Sequence, residues 1–130
     1  MREHAYAVYL MTNSRRGVLY VGVTSDLLTR AQQHRDGQFS GFTLEHGCKL
    51  LVWFEFHDDI NVAIHREKLV KRWRRAWKIA LVETRNPEWV DLAPALRGAE
   101  RFPWETRAEF QAALEADAVG LFAKDDEWPN

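Results

Sequence analysis

Two short runs rich in β-branched and aromatic residues, Tyr6 to Met11 and Val18 to Val23, flank Thr12-Asn13-Ser14-Arg15-Arg16-Gly17. Polar residues ending in glycine between two such runs predict an antiparallel hairpin. With a loop over residues 12 to 17, Met11 faces Val18, Tyr9 faces Tyr20 and Ala7 faces Gly22. Opposed residues share a face and approach within about 5.5 Å at Cβ. Val8, Leu10, Leu19, Val21 and Val23 then make an apolar face for a core. The other face presents two phenols beside two very small residues. Small residues leave room for something that is not protein, and hydroxyls need a polar partner. An aromatic pair that only stabilises the hairpin is the alternative.

Thr24-Ser25-Asp26 signals a helix start, good helix formers run from Leu27 to about Arg35, and Asp36-Gly37 stops them. Gln38 to Gly47 reads as a loop. Lys49 to His57 reads as a strand with Leu50, Val52, Phe54 and Phe56 on one face. Asp58-Asp59 caps a helix from about Ile60, a further helical stretch continues to Glu83, and Asn86-Pro87 breaks it. The order β-β-α-β-α-α predicts an α+β fold, a small three-stranded antiparallel sheet flanked by helices. A length of 130 residues suits one domain. Residues 1–95 are expected to form it, and 96–130 an acidic, helical C-terminal extension. There Pro103-Trp104-Glu105 starts a helix with Phe110, Ala113 and Leu114 as its apolar stripe.

The net charge of -1 hides an asymmetry. Residues 1–98 carry 15 basic and 11 acidic side chains, and residues 99–130 carry 3 basic and 8 acidic, so the two parts are about +4 and -5. Seven basic residues cluster between Arg66 and Lys78, with Glu67 the only acid among them. That stripe is the footprint of a phosphate-binding surface or else a solvated helix face. No apolar run reaches the roughly 20 residues of a membrane span, and nothing resembles a secretory signal, so the cytoplasm is the expected compartment. The single Cys48 has no internal disulfide partner and no second cysteine for zinc.

Two further features carry chemistry. Arg30 and His34 are four apart on one helix and point the same way. Arginine can clamp phosphate with two bonds, and histidine can donate to it or pass a proton. Glu67 interrupts the inward stripe Ile60, Ala63, Ile64, Val70, Trp73 and Trp77. A carboxylate facing the interior costs several kcal/mol unless neutralised. A divalent cation would neutralise it, magnesium or manganese by the hardness of the ligand; an ion pair, for example with Lys71, is the alternative.

Together these residues resemble the GIY-YIG nuclease family. Ala7-Val8-Tyr9 and Tyr20-Val21-Gly22 match its two name motifs, followed by Thr24-Ser25-Asp26-Leu27, Arg30 and His34. Arg66-Glu67-Lys68, Lys71-Arg72-Trp73 and Trp77-Lys78 match its metal-carboxylate helix, and Asn86-Pro87-Glu88-Trp89 the stretch that closes the short single-domain members. The resemblance covers about residues 4 to 92. It extends to the nuclease modules of homing endonucleases and of the bacterial excision-repair incision subunit, which carry further domains. Ala7 departs from the pattern, since the family usually has glycine there. The resemblance implies an endonuclease that hydrolyses DNA, with branched or damaged DNA in repair as the expected substrate, using one Mg²⁺ or Mn²⁺ held by Glu67. Tyr9 would orient or deprotonate the attacking water with His34 as helper. Tyr20 would bond the phosphate or the water, Arg30 would stabilise phosphate charge, and Asn86 would bond phosphate or a site neighbour. The partner is nucleic acid, DNA ahead of RNA, with no membrane, and a partner protein or homodimer would add specificity. A catalytically inactive nucleic-acid-binding module of the same fold is the alternative.

Overall fold

The computed structural model describes residues 6–38, 46–98 and 100–105. Its sheet has three antiparallel strands, β1 (Tyr6–Thr12), β2 (Leu19–Thr24) and β3 (Leu50–His57), in the order β2-β1-β3. Around it stand α1 (Leu27–Arg35), α2 (Ile60–Arg72), α3 (Arg75–Arg85) and the short α4 (Ala93–Leu96). Capping sets two of the helix starts. Asp26 accepts from Thr29 N at 3.2 Å and Asp59 from Asn61 N at 2.7 Å, each worth about 1 kcal/mol. Among the described residues no helix is long and apolar enough to cross a membrane.

The sheet is covered on both faces. Ala7, Tyr9 and Met11 share a core cluster with Leu27 and Ala31 of α1. Val8, Leu10 and Val21 share another with Ala63 and Val70 of α2 and Leu81 and Val82 of α3. Each fully buried aliphatic side chain contributes roughly 1.5–3 kcal/mol, so the two clusters fix α1 on one side and α2 on the other.

Several sequence expectations need correction. Tyr9 faces Gly22, not Tyr20; Ala7 faces Thr24, and Tyr20 faces Met11. Strand β1 runs one residue further, to Thr12, and the loop closes over 13–18. Asn13 Oδ1 accepts from Val18 N at 2.9 Å, and Gly17 N donates to Ser14 O at 2.8 Å. The slip is two positions, so the two faces keep their members.

Strand β3 does not keep Leu50, Val52, Phe54 and Phe56 on one face. A bulge lies opposite Leu10 and Met11, which pair with Trp53 and Leu51 and leave Val52 as the extra residue. Val52 and Trp53 join the α2 side, while Leu51 and Phe54 lie on the α1 side.

The stripe on α2 is shorter than expected. Ala63, Glu67 and Val70 are buried, but Ile60 is 38% exposed. Trp73 ends α2 in an extended conformation, and Trp77 belongs to α3 after a break at Trp73 and Arg74.

Beyond α3 the chain returns along β3. Leu92 N donates to Leu51 O at 2.7 Å, and Asp91 Oδ1 accepts from Leu51 N at 3.2 Å. Phe102 and Trp104 stack at 4.8 Å and pack edge-on against Phe54 at 5.8 and 6.2 Å. Pro103 and Trp104 form a turn, with Glu105 N bonded to Phe102 O at 3.0 Å, and the helix expected to follow lies outside the described residues. Phe110, Ala113 and Leu114 lie outside the described residues.

Candidate active site

The face of the sheet beneath α1 gathers four of the candidate residues. Tyr9 comes from the central strand, Tyr20 from the edge strand, and Arg30 and His34 from α1. Tyr9 Oη lies 3.0 Å from His34 Nε2. The Tyr20 ring is 6.2 Å from Tyr9 and 5.4 Å from His34, centre to centre. Tyr9 has no exposed surface and His34 is 4% exposed, whereas Tyr20 and Arg30 are half-buried. The small residue that makes space is Gly22, because a Cβ there would fall 2.5 Å from the Tyr9 ring carbon Cζ.

Burial and charge act together on this group. Burial pulls the His34 pKa down to about 4, and the Arg30 charge adds to the effect, so the imidazole is neutral at neutral pH. Burial and the neighbouring Tyr20 hold the Tyr9 phenol well above the usual range, although the Arg30 charge and hydrogen bond pull the other way. Tyr9 is therefore a protonated phenol and not a standing base. Both groups are neutral, so one hydrogen bond joins Tyr9 Oη and His34 Nε2, and the imidazole tautomer sets which of them donates.

Glu67 arrives on α2, on the opposite side of the sheet from α1. It is 7% exposed, in line with Ala63 and Val70. Its Oε2 is gripped by the Lys71 ammonium at 2.7 Å, while the Lys71 side chain is 55% exposed. The ion pair weighed against a metal is thus present. A divalent ion still fits, because Lys71 can swing into solvent and leave a buried hard-oxygen ligand. No cluster of three or more His, Cys, Asp or Glu suited to a metal occurs among the described residues. The fit is to an ion that takes one carboxylate and keeps water and substrate oxygens, as magnesium does.

Asn86 is 1% exposed and its amide is committed to backbone. Nδ2 donates to Val52 O at 3.1 Å and Val90 O at 2.9 Å, and Oδ1 accepts from Val90 N at 3.0 Å. It ties the end of α3 to β3 and to the closing turn.

The basic stripe is partly neutralised. Arg66 bonds Glu55 at 2.7 Å, and Glu55 also bonds His57 at 2.7 Å. Arg66 and Arg74 lie over Trp73 and Trp77, 5.4 and 5.2 Å from the ring centres. Glu55 escapes a sequence reading of the site; its one signal is an acid inside an otherwise apolar strand.

Residues 5–80 match the GIY-YIG catalytic domain. A UPF0213 protein of Aeromonas salmonicida is 26% identical over 112 residues, covering 80% of this chain and 81% of that protein. A UPF0213 protein of Vibrio parahaemolyticus is 33% identical over 81 residues, covering 62% and 76%. Another, of Syntrophus aciditrophicus, is 32% identical over 82 residues, covering 62% and 92%. No solved structure matches the chain significantly.

Proposed function

The chain belongs to the GIY-YIG family of nuclease-type catalytic domains, and we propose that it is a metal-dependent endonuclease hydrolysing phosphodiester bonds of DNA. The 3.0 Å contact between the Tyr9 hydroxyl and His34 Nε2 carries this reading, with Tyr20 and Arg30 beside it.

In the tautomer that carries its proton on Nδ1, the phenol donates to His34 Nε2 and the lone pairs of the Tyr9 oxygen face away from that bond. A water entering on the half-buried Tyr20 side gives its proton to Tyr9 as Tyr9 passes its own to His34. No free phenolate need form, which removes the obstacle of the raised phenol pKa. The imidazolium so formed lies in the field of Arg30. The negative charge of an arriving phosphate offsets that field, so proton transfer is favoured with substrate in place. Arg30 stabilises charge building on the phosphoryl oxygens, and the Tyr20 hydroxyl bonds the phosphate or the water. Glu67 would hold one Mg²⁺ or Mn²⁺. Because α2 packs on the other face of the sheet from Tyr9, this reading requires a phosphate that reaches both, and the metal would then supply Lewis-acid stabilisation of the leaving oxygen. Asn86 acts as a positioning residue through the backbone it ties.

DNA is preferred to RNA as substrate, with branched or damaged structures in repair. Shape, a partner protein or a second copy would supply specificity. The full burial of Tyr9 and the Lys71 grip on Glu67 favour one other reading, a nucleic-acid-binding module of the same fold without catalysis.

The test is cleavage of labelled linear, nicked, flapped and four-way DNAs with Mg²⁺ or Mn²⁺. Cutting should require metal and disappear in Glu67→Ala. It should fall about 10²- to 10⁴-fold in Tyr9→Phe with DNA affinity kept. Absence of cutting on every substrate, with DNA bound equally by all three proteins, selects the binding module.

A further inference from the structure

Four arginines outside the α2–α3 elbow have acidic partners. Arg15, Arg16, Arg35 and Arg66 pair with Glu88, Glu83, Asp91 and Glu55. At the elbow five basic residues cluster, Lys68, Arg72, Arg74, Arg75 and Lys78, and none has an acidic partner among the described residues. Lys71 stands between the two situations. Its ammonium holds the buried Glu67 carboxylate at 2.7 Å, yet its side chain is 55% exposed. On α2 Lys68 lies one turn from both Lys71 and Arg72, at a helical spacing of three from Lys71 and of four from Arg72. The Lys71 charge also reaches α3, where burial together with Arg75 and Lys71 lowers the Lys78 pKa.

We propose that Lys71 is a displaceable counter-ion: it holds Glu67 until a divalent ion arrives, then turns to a backbone phosphate bound at the elbow, so that metal and nucleic acid bind with positive coupling. This rests on Glu67 being the metal ligand.

The buried carboxylate needs a cation at all times. Lysine suits a temporary one, being a compact charge on a flexible stem, where an arginine fork would lock. Without nucleic acid, a displaced Lys71 is left among the like charges of Arg75 and Lys78, which opposes metal binding. A phosphate at the elbow relieves that crowding and gives Lys71 a new partner. Linkage then works in both directions, each ligand raising affinity for the other by the same factor.

Two measurements test this without reading catalysis. Mn²⁺ binding is followed by the electron paramagnetic resonance signal of free Mn²⁺, in wild type, Lys71→Met and Glu67→Gln, with no nucleic acid present. Binding of a labelled blunt DNA duplex is followed by fluorescence anisotropy in EDTA, in the same proteins and the double variant. Lys71→Met should bind Mn²⁺ about fivefold more tightly than wild type, equivalent to about 1 kcal/mol, and Glu67→Gln should not bind it. In EDTA, Glu67→Gln should tighten the duplex by a similar factor, and should do nothing in the Lys71→Met background. Lys71→Gln serves as a second removal of the charge.

If Glu67→Gln binds Mn²⁺ like wild type, Glu67 is not the ligand, and the metal reading fails together with the counter-ion. If Mn²⁺ binding needs Glu67 but neither Lys71 variant tightens it, the counter-ion alone is overturned. A gain in duplex affinity from Glu67→Gln that persists without Lys71 reports plain charge removal and overturns the coupling.

Discussion

Replacing Gly22 by alanine probes the hairpin register and the seating of Tyr9 in one step. The new Cβ would stand 2.5 Å from both Cζ and Oη of Tyr9 and 2.8 Å from Cε1. Carbon atoms rest about 3.5 to 4.0 Å apart, so the ring would have to retreat by about 1 Å. It has little freedom, since Tyr9 is fully buried and its hydroxyl sits 3.0 Å from His34 Nε2. Overpacking of this kind costs about 1–3 kcal/mol, and losing the buried hydrogen bond costs about 1 more. Against this, alanine removes unfolded-chain freedom worth about 0.4–1 kcal/mol. The net loss is roughly 1–3 kcal/mol. Urea unfolding reports it as a midpoint lowered by about 1 M for a typical slope. With Ala7 opposite Gly22, as the hairpin reads from sequence alone, the same methyl would enter a notch and cost little. A double-mutant cycle with Tyr9→Leu should return most of the loss, because the clash is with the ring. An unchanged midpoint for Gly22→Ala would refute the close approach and the seating of Tyr9 with it.

Other outcomes follow from the same geometry. His34 has a folded pKa of about 4 against about 6.5 unfolded, so the folded state resists the proton. Its stabilisation is full above about pH 6.5 and is lost as pH falls towards 4, by about 3 kcal/mol in all. Melting temperature against pH should lose that slope in His34→Gln; an unaltered slope rejects the assignment. Glu83, held down to about 2 by the Arg16 hydrogen bond and then by Trp89, contributes a separate loss only below about pH 4.5. Asn86→Ala removes three hydrogen bonds, for roughly 3 kcal/mol of stability by urea unfolding. A loss below about 1 kcal/mol with cleavage abolished would instead make Asn86 a contact residue.

The legible parts of this fold are those set by neighbours in sequence. Asp26 and Asp59 announce their helices because a cap acts on an amide two or three residues ahead. Membership of the two hairpin faces survives a wrong register because the slip was two and the side-chain period is two. Strand β3 is another matter. Leu50 to Phe54 is apolar throughout, so nothing in it marks Val52 as the extra residue, and only pairing with β1 decides. The meeting of Tyr9, Tyr20 and His34 was foreshadowed in part, by parity and by helical spacing. The burial of Glu67 showed in the stripe, but whether Lys71 would reach it depends on side-chain rotamers that spacing does not fix. Ala93–Leu96, Phe102 and Trp104 were least legible, since a four-residue helix and an aromatic turn are held by distant surfaces rather than by local preference.

The bulge in β3 also bears on the order of assembly. By turning Phe54 to the α1 side, it creates an aromatic surface whose cover, Phe102 and Trp104, lies 48 and 50 positions later in the chain. Those contacts close a long loop, and long loops close late. The hairpin and α1 can form early from neighbouring segments. The core beneath Tyr9 is finished only when residues near Glu105 have left the ribosome, and until then Phe54 is an open apolar surface for chaperones or for other unfinished chains.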